Sequence, residues 1–189
     1  GSHATSASPS LVLIQETRPA PTKSLSLTLG TTTSEHIINT LSIADAVPPA
    51  GKFIAVDLTT WVLTLYQDGT AIAKYPIHAT AKIGSPYETP AGFYTVLVKE
   101  PDHFNSEDRT HLPWSIQFYG NYLIHGWPSL YDGSLVDSTY TGGNIRLSTD
   151  DAVRVYAFAD IGTGIFVYDP IKTASMISLV LDALPTPSV

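Results

Sequence analysis

Short apolar runs, some of them alternating apolar and polar positions with a period of two, fill the middle of the chain and read as strands. Phe53 to Asp57 and Trp61 to Tyr66 are strand-like runs, and Gln67-Asp68-Gly69 closes a turn before Thr70 to Ile77, where Ala71, Ala73 and Tyr75 alternate with Ile72 and Lys74. The pattern predicts a three-stranded meander. A loop punctuated by Gly84, Pro86, Pro90 and Gly92 follows, and then Phe93 to Lys99 alternates into another strand. A polar loop rich in Asp, His and Asn is expected to run to Leu112. Trp114 to Phe118 and Tyr122 to His125 read as two further strands, joined in hairpin fashion at Tyr119-Gly120-Asn121.

After a diglycine turn at Gly142-Gly143 the period becomes helical. Ser148 offers a hydroxyl cap, Asp150 and Asp151 face the positive end of the helix dipole, and Ala152, Val153, Tyr156 and Ala159 are expected on one face. Gly162 is a plausible stop, and Gly164 to Tyr168 makes a last core strand. About seven strands and one short helix make a mainly β domain, a sandwich or squashed barrel. A parallel α/β sheet would need a crossover helix for most of its strands, and those helices are not in the pattern.

The flanks have a different texture. Gly1-Ser2-His3 resembles the scar of a cleaved tag, and residues 4–50 are rich in Ser, Thr and Pro, the composition of a linker or stalk. Two features resist that reading: apolar runs at Leu11 to Ile14 and at Leu25, Leu27 and Leu29, and a short helix that Ser34 could cap, with Ile37, Ile38, Leu41 and Ile43 as its apolar members. The segment therefore either packs on the main domain, placed at 51–170, or trails from it. The tail, residues 171–189, carries one apolar patch, Met176 to Leu181.

Composition narrows the function classes. With 189 residues, 43% of them hydrophobic, the chain can bury the core of one domain. A net charge of -7 without a Lys/Arg cluster argues against nucleic acid and against an anionic membrane surface. No apolar run reaches the roughly eighteen residues of a transmembrane helix, and no signal peptide is visible, so any export signal is expected to have been removed. With no cysteine in the chain there is no disulfide, thiolate metal site or cysteine nucleophile.

The stretch from Tyr122 to Ser148 concentrates the candidate chemistry. His125 closes an apolar strand and is followed by Gly126 and Trp127; fifteen residues, Gly126 to Tyr140, separate it from Thr141-Gly142-Gly143-Asn144-Ile145-Arg146. A strand-end histidine near a tight glycine turn suits acyl transfer: a general base, a nucleophile within reach, and backbone N–H groups aimed at a developing oxyanion. The carbonyl of Gly126 or a neighbour could fix the histidine's tautomer in place of a carboxylate. A plainer alternative is a histidine that only hydrogen-bonds a loop.

The ordered motifs resemble the L,D-transpeptidases, the YkuD-like family that cross-links peptidoglycan through a catalytic cysteine. The family pattern is His-Gly at a strand end, a spacer, then Ser/Thr-His-Gly-Cys, an aliphatic residue and usually Arg or Asn. Val56-Asp57-Leu58, Leu65-Tyr66, Tyr75-Pro76-Ile77, Thr89-Pro90-Ala91-Gly92-Phe93 and Trp114-Ser115-Ile116-Gln117-Phe118 match upstream, so the likeness runs from about Lys52 to Tyr168. It implies His125 as the base, Gly143 as an oxyanion-hole N–H, Thr141 as a conserved hydroxyl position and Arg146 as a cation for a substrate carboxylate. Trp127 is the aromatic expected beside the substrate. It also implies stem peptides of peptidoglycan as partners, a cell-envelope location, and no metal or other cofactor.

Two positions depart from that pattern. Gly142 replaces the second histidine, more a structural partner than a base. Asn144 stands at the nucleophile, and an amide neither ionises near neutral pH nor offers a thiolate. Losing the nucleophile of such a site costs on the order of 10⁶ in turnover, roughly 8 kcal/mol of barrier. The chain is therefore expected to be inactive as a transpeptidase. The asparagine is either native, in a pseudoenzyme that keeps the groove and binds peptidoglycan or another partner, or an engineered knock-out, for which Ala or Ser is the commoner choice.

Other candidates rank lower. His103, His111, Asp102, Glu107 and Asp108 lack tight ligand spacing and read better as a solvated lid than as a metal site. His78 either faces the groove or is a surface residue at a strand end. Trp114 and Tyr131 are pocket or core, and Arg146 has a rival role in pairing with Asp150 or Asp151.

Overall fold

The structure, a computed structural model, describes residues 42–172. The meander forms as its pattern requires: β1 (Lys52–Asp57), β2 (Val62–Gln67) and β3 (Thr70–Pro76) pair antiparallel in sequence. The two-residue turn between β2 and β3 has Asp68 at φ 51° and Gly69 at φ 78°. Positive φ at both central residues is the hairpin turn whose twist matches that of the strands, which is why Asp-Gly sits there. β4 (Gly92–Thr95) and β10 (Gly164–Tyr168) complete a five-stranded sheet in the order β3-β2-β1-β10-β4, with β1 and β10 parallel.

The second sheet runs β5-β6-β7-β9, from β5 (Val98–Asn105), β6 (Thr110–Tyr119), β7 (Tyr122–His125) and β9 (Ile145–Arg146); β8 (Ser129–Leu130) pairs with the far end of β6. Both sheets are mixed and neither closes on itself, so of the two expected forms the domain takes the sandwich. Ile54, Val56, Leu63, Leu65, Ile165 and Val167 of the first sheet meet Ile116, Phe118, Ile124 and Ile145 of the second in one buried cluster. Full burial of each aliphatic side chain is worth about 1.5–3 kcal/mol. Helix α2 (Thr149–Phe158) lies on the same core, capped by Ser148, whose Oγ accepts the Asp151 N–H at 3.1 Å. Ala152, Val155 and the capping Ala159 are the buried positions; Val153, expected there, is exposed.

On the outer face of the first sheet a smaller cluster of Phe53, Ala55 and Phe166 is covered by Ile43, Ala46 and Val47. Helix α1 (Ile43–Ala46) carries two of those residues, and its start is a capping box: Ser42 Oγ accepts the Asp45 N–H while the Asp45 carboxylate accepts the Ser42 N–H. Ser42 is extended, at φ -94° and ψ 165°, so Ile43 opens a helix and does not end one begun at Ser34. Ser34, Ile37, Ile38, Leu41, the apolar runs before them and the patch from Met176 to Leu181 lie outside the described residues.

The largest correction concerns residues 100–112. They are mostly the arms of a hairpin, with Asp102 opposite Pro113, His103 opposite Leu112 and Phe104 opposite His111, and not a polar loop. Most positions there are half or fully exposed, so neither face shows the apolar stripe that betrays a strand. The run Phe93 to Lys99 likewise divides between the two sheets, β4 and β5, at the buried Val96.

Candidate functional site

β7 and β9 lie side by side in parallel, with Ile124 opposite Ile145 and His125 opposite Arg146. Strand alternation sends Ile124 and Ile145 into the core and puts Leu123, His125 and Arg146 on the other face. The other edge of β9 is held by residues 78–81: the His78 N–H donates to the Arg146 carbonyl and the Arg146 N–H to the Ala79 carbonyl, at 2.8 and 2.9 Å. Residues distant in sequence thus converge on one short strand.

His125 is only 1% exposed. Its Nδ1 lies 2.6 Å from the Gly126 carbonyl, an acceptor, so Nδ1 carries the proton and the lone pair is on Nε2. Burial pulls the ring down to a pKa of about 4; the Gly126 carbonyl opposes that fall and the nearby Arg146 charge adds to it. The imidazole is neutral at physiological pH. Gly126 owes its identity to a close approach: a Cβ there would sit 3.0 Å from Thr149 Cα and 3.1 Å from Pro113 Cγ. The Gly126 N–H donates to the Pro113 carbonyl at 2.8 Å, tying the site strand to β6.

The turn before β9 is locked by Thr141. Its hydroxyl donates to the Asn144 carbonyl at 2.6 Å and accepts the Gly143 N–H at 3.2 Å. The Gly143 N–H, expected at an oxyanion hole, is therefore engaged within the turn. Gly143 has φ 103°, and a Cβ there would meet the Tyr122 ring at 2.2 Å and the Tyr87 carbonyl at 2.5 Å. The Gly143 carbonyl accepts the buried Thr89 hydroxyl at 2.7 Å, which gives the Thr-Pro-Ala-Gly segment a structural task. Gly142, by contrast, has open space around it.

Asn144 is half-buried, and its Oδ1 accepts the Leu123 N–H at 3.0 Å. It lines a cleft of about 290 Å³ together with Leu123, Gln117, Asn121, His103 and Leu112, among others, between the β5–β6 hairpin and the end of β7. Sequence reasoning missed Gln117, Asn121 and Leu123. They share a face only through the pairing of Gln117 with Leu123, a register that no local pattern displays.

Arg146 does not reach this cleft. Its side chain is 2% exposed, with the guanidinium carbon 4.3 Å from the Trp127 ring centroid and an Nη donating to the Ser138 carbonyl. Its Nε is buried without a hydrogen-bond partner, and among the described residues no carboxylate lies within ion-pair distance of it, Asp150 and Asp151 included. Burial pushes its pKa below the usual guanidinium value. Trp127 is fixed by its Nε1–H, which donates to the Val136 carbonyl at 3.1 Å, and by its N–H, which donates to Thr149 Oγ1 at 3.1 Å.

The remaining candidates fall elsewhere. His78 is exposed and meets Trp127 edge-on, with ring centroids 5.8 Å apart. Trp114 packs on Tyr156 of α2 at the border of the core, and Tyr131 is 88% exposed. His103 pairs with Glu100 at 2.5 Å and His111 with Asp102 at 2.7 Å. Among the described residues no group of three or more His, Asp and Glu side chains is placed to hold a metal ion.

The domain is thus an open two-sheet β sandwich with a strand-end histidine beside a glycine turn. Residues 51–170 match the model of the YkuD family, the L,D-transpeptidase catalytic domain, and the chain belongs to that family. Solved structures share the fold. An L,D-transpeptidase from Stackebrandtia nassauensis superimposes with a TM-score of 0.56 at 24% identity, over 72% of this chain and 64% of that one. One from Mycobacterium smegmatis gives 0.52 at 22%, over 64% and 59%. A fused Zn-dependent amidase/peptidase/peptidoglycan-binding domain-containing protein from Clostridium acetobutylicum gives 0.53 at 23%, over 71% and 58%. The chain thus spans less than two thirds of the length of these structures. No curated protein matches it by sequence.

Proposed function

We propose that this domain binds stem peptides of peptidoglycan in the cell envelope without transferring them. What supports the reading is Asn144: by the motif resemblance it holds the family's nucleophile position, and its side-chain oxygen accepts the Leu123 N–H. Transfer in the family requires a sulfur that attacks the donor carbonyl, expels the terminal residue as an amine and holds the acyl group as a thioester. No atom of Asn144 can take that role. Parts of the site support binding: His125 has its tautomer fixed by Gly126 and the turn is locked by Thr141, which also takes up the Gly143 N–H. Arg146 is the group to meet an anion: a buried cation without a counterion carries a penalty of several kcal/mol, which an incoming carboxylate offsets once the segment holding Ser138 yields.

The test is acylation followed by intact mass. The protein as it stands should gain no adduct from a carbapenem or a stem tetrapeptide and release no hydrolysed or cross-linked product. Asn144→Cys should gain the carbapenem adduct if the groove is otherwise complete. Turnover by the unmodified chain would overturn the reading. A cysteine variant that stays unlabelled would favour a groove that has drifted away from the family's ligand.

A further inference from the structure

We infer that Asn144 is itself a ligand-binding residue, whose side-chain NH₂ donates to a neutral carbonyl of a peptide lying in the cleft; the inference rests on the binding reading above. The orientation of the amide is settled by chemistry. The Leu123 N–H can only donate, so the atom 3.0 Å from it is the amide oxygen, and Nδ2 is the end left over. Nδ2 makes no hydrogen bond to any described residue, and Asn144 is part of the cleft wall. Its position is held from both sides, by Leu123 on the side chain and by the Thr141 hydroxyl on the carbonyl. A donor fixed in this way is ordered before any ligand arrives, so little side-chain entropy is lost on binding.

The lining of the cleft indicates what meets that donor. Gln117 and Asn121 bring two more primary amides, the Gln117 NH₂ donating to the Gly120 carbonyl, while Asn105 is taken up by Asp108 and the Glu107 N–H; Leu112 and Leu123 supply apolar surface, Glu107 adds a carboxylate, and no Lys or Arg takes part. Amides along an apolar floor complement peptide units, and a wall that holds a carboxylate and no Lys or Arg has little to offer phosphate or carboxylate. A cysteine at position 144 would give the Leu123 N–H only a weak acceptor and the ligand no N–H at all. The substitution that removes attack therefore adds a contact to the same carbonyl.

The variant that separates the two ends of the amide is Asn144→Asp. It keeps an oxygen for the Leu123 N–H and replaces the free donor by an acceptor. The probe is an N-acetylated, C-amidated stem tetrapeptide with its side-chain carboxylates amidated, so that charge repulsion is minimised. Titration should shift the side-chain amide resonances of Asn144 in the unmodified protein. Asn144→Asp should melt within a few degrees of it yet bind at least tenfold more weakly. Asn144→Ala should lose both stability and affinity. Undiminished binding by Asn144→Asp, or unshifted side-chain resonances while the peptide binds, overturns the role of Asn144 alone. An unmodified protein that binds no tetrapeptide, amidated or not, overturns the binding reading and this inference with it.

Discussion

Lowering the pH should cost this domain stability through one buried ring. His125 titrates at about 4 in the folded state against an ordinary 6.5, because the charged form has lost its water. A base with a depressed folded value takes up its proton later than the unfolded chain does. Its contribution to stability is therefore complete above pH 6.5, declines as pH falls through the interval from 6.5 to about 4, and is gone below it. At about 1.4 kcal/mol per tenfold in proton affinity, the gap amounts to about 3 kcal/mol. For a domain of this size that is on the order of 10 °C in melting temperature. The assay is the Cε1–H resonance of His125, followed alongside urea denaturation from about pH 8 down to about pH 3.5. The ring should stay neutral through pH 6 and inflect near 4, or at the acid unfolding transition if that comes first. His125→Gln should flatten the fall in stability over this interval. A resonance that inflects near 6.5 in the folded protein, or a His125→Gln variant with an unchanged pH slope, refutes the reasoning.

Two further outcomes follow from packing. Gly143→Ala should destabilise the domain by more than about 3 kcal/mol, since a methyl group would overlap both the Tyr122 ring and the Tyr87 carbonyl at a backbone angle that disfavours any side chain; chemical denaturation measures it, and a loss under about 1 kcal/mol would contradict the crowding. Ser148→Ala should cost about 1 kcal/mol by removing the acceptor of the Asp151 N–H, with a visible loss of amide protection in the first turn of α2.

Much of the fold was legible because its strands are apolar on one face or, in β1 and β10, on both. Gly164 to Tyr168 and the cap at Ser148 fall where the pattern puts them. The outer part of the β5–β6 hairpin, residues 100–112, was hidden because most of its positions are exposed and form no apolar stripe. β9 is two residues long, and its partner is set by tertiary packing against β7 and residues 78–81 rather than by any local preference. The same division holds at the site. His125, the glycine turn and Asn144 stand out as residue types in an order. That Asn144 meets the cleft while Arg146 lies beneath Trp127 and Ser138 depends on strand register and on how the 128–140 segment folds back, neither of which a linear pattern contains.

The parallel pairing of β1 with β10 has a consequence for force. The first and last strands of the domain are direct neighbours over five residues, from Phe53 opposite Gly164 to Asp57 opposite Tyr168, and run in the same direction. Tension applied through the chain at Lys52 and Tyr168 pulls the two strands past one another along their length. The hydrogen bonds between them are then loaded together in shear, whereas a hairpin pulled at its open end gives way one bond at a time. The domain should yield at a higher force along this axis than when pulled from Lys52 and Gly69, across the meander.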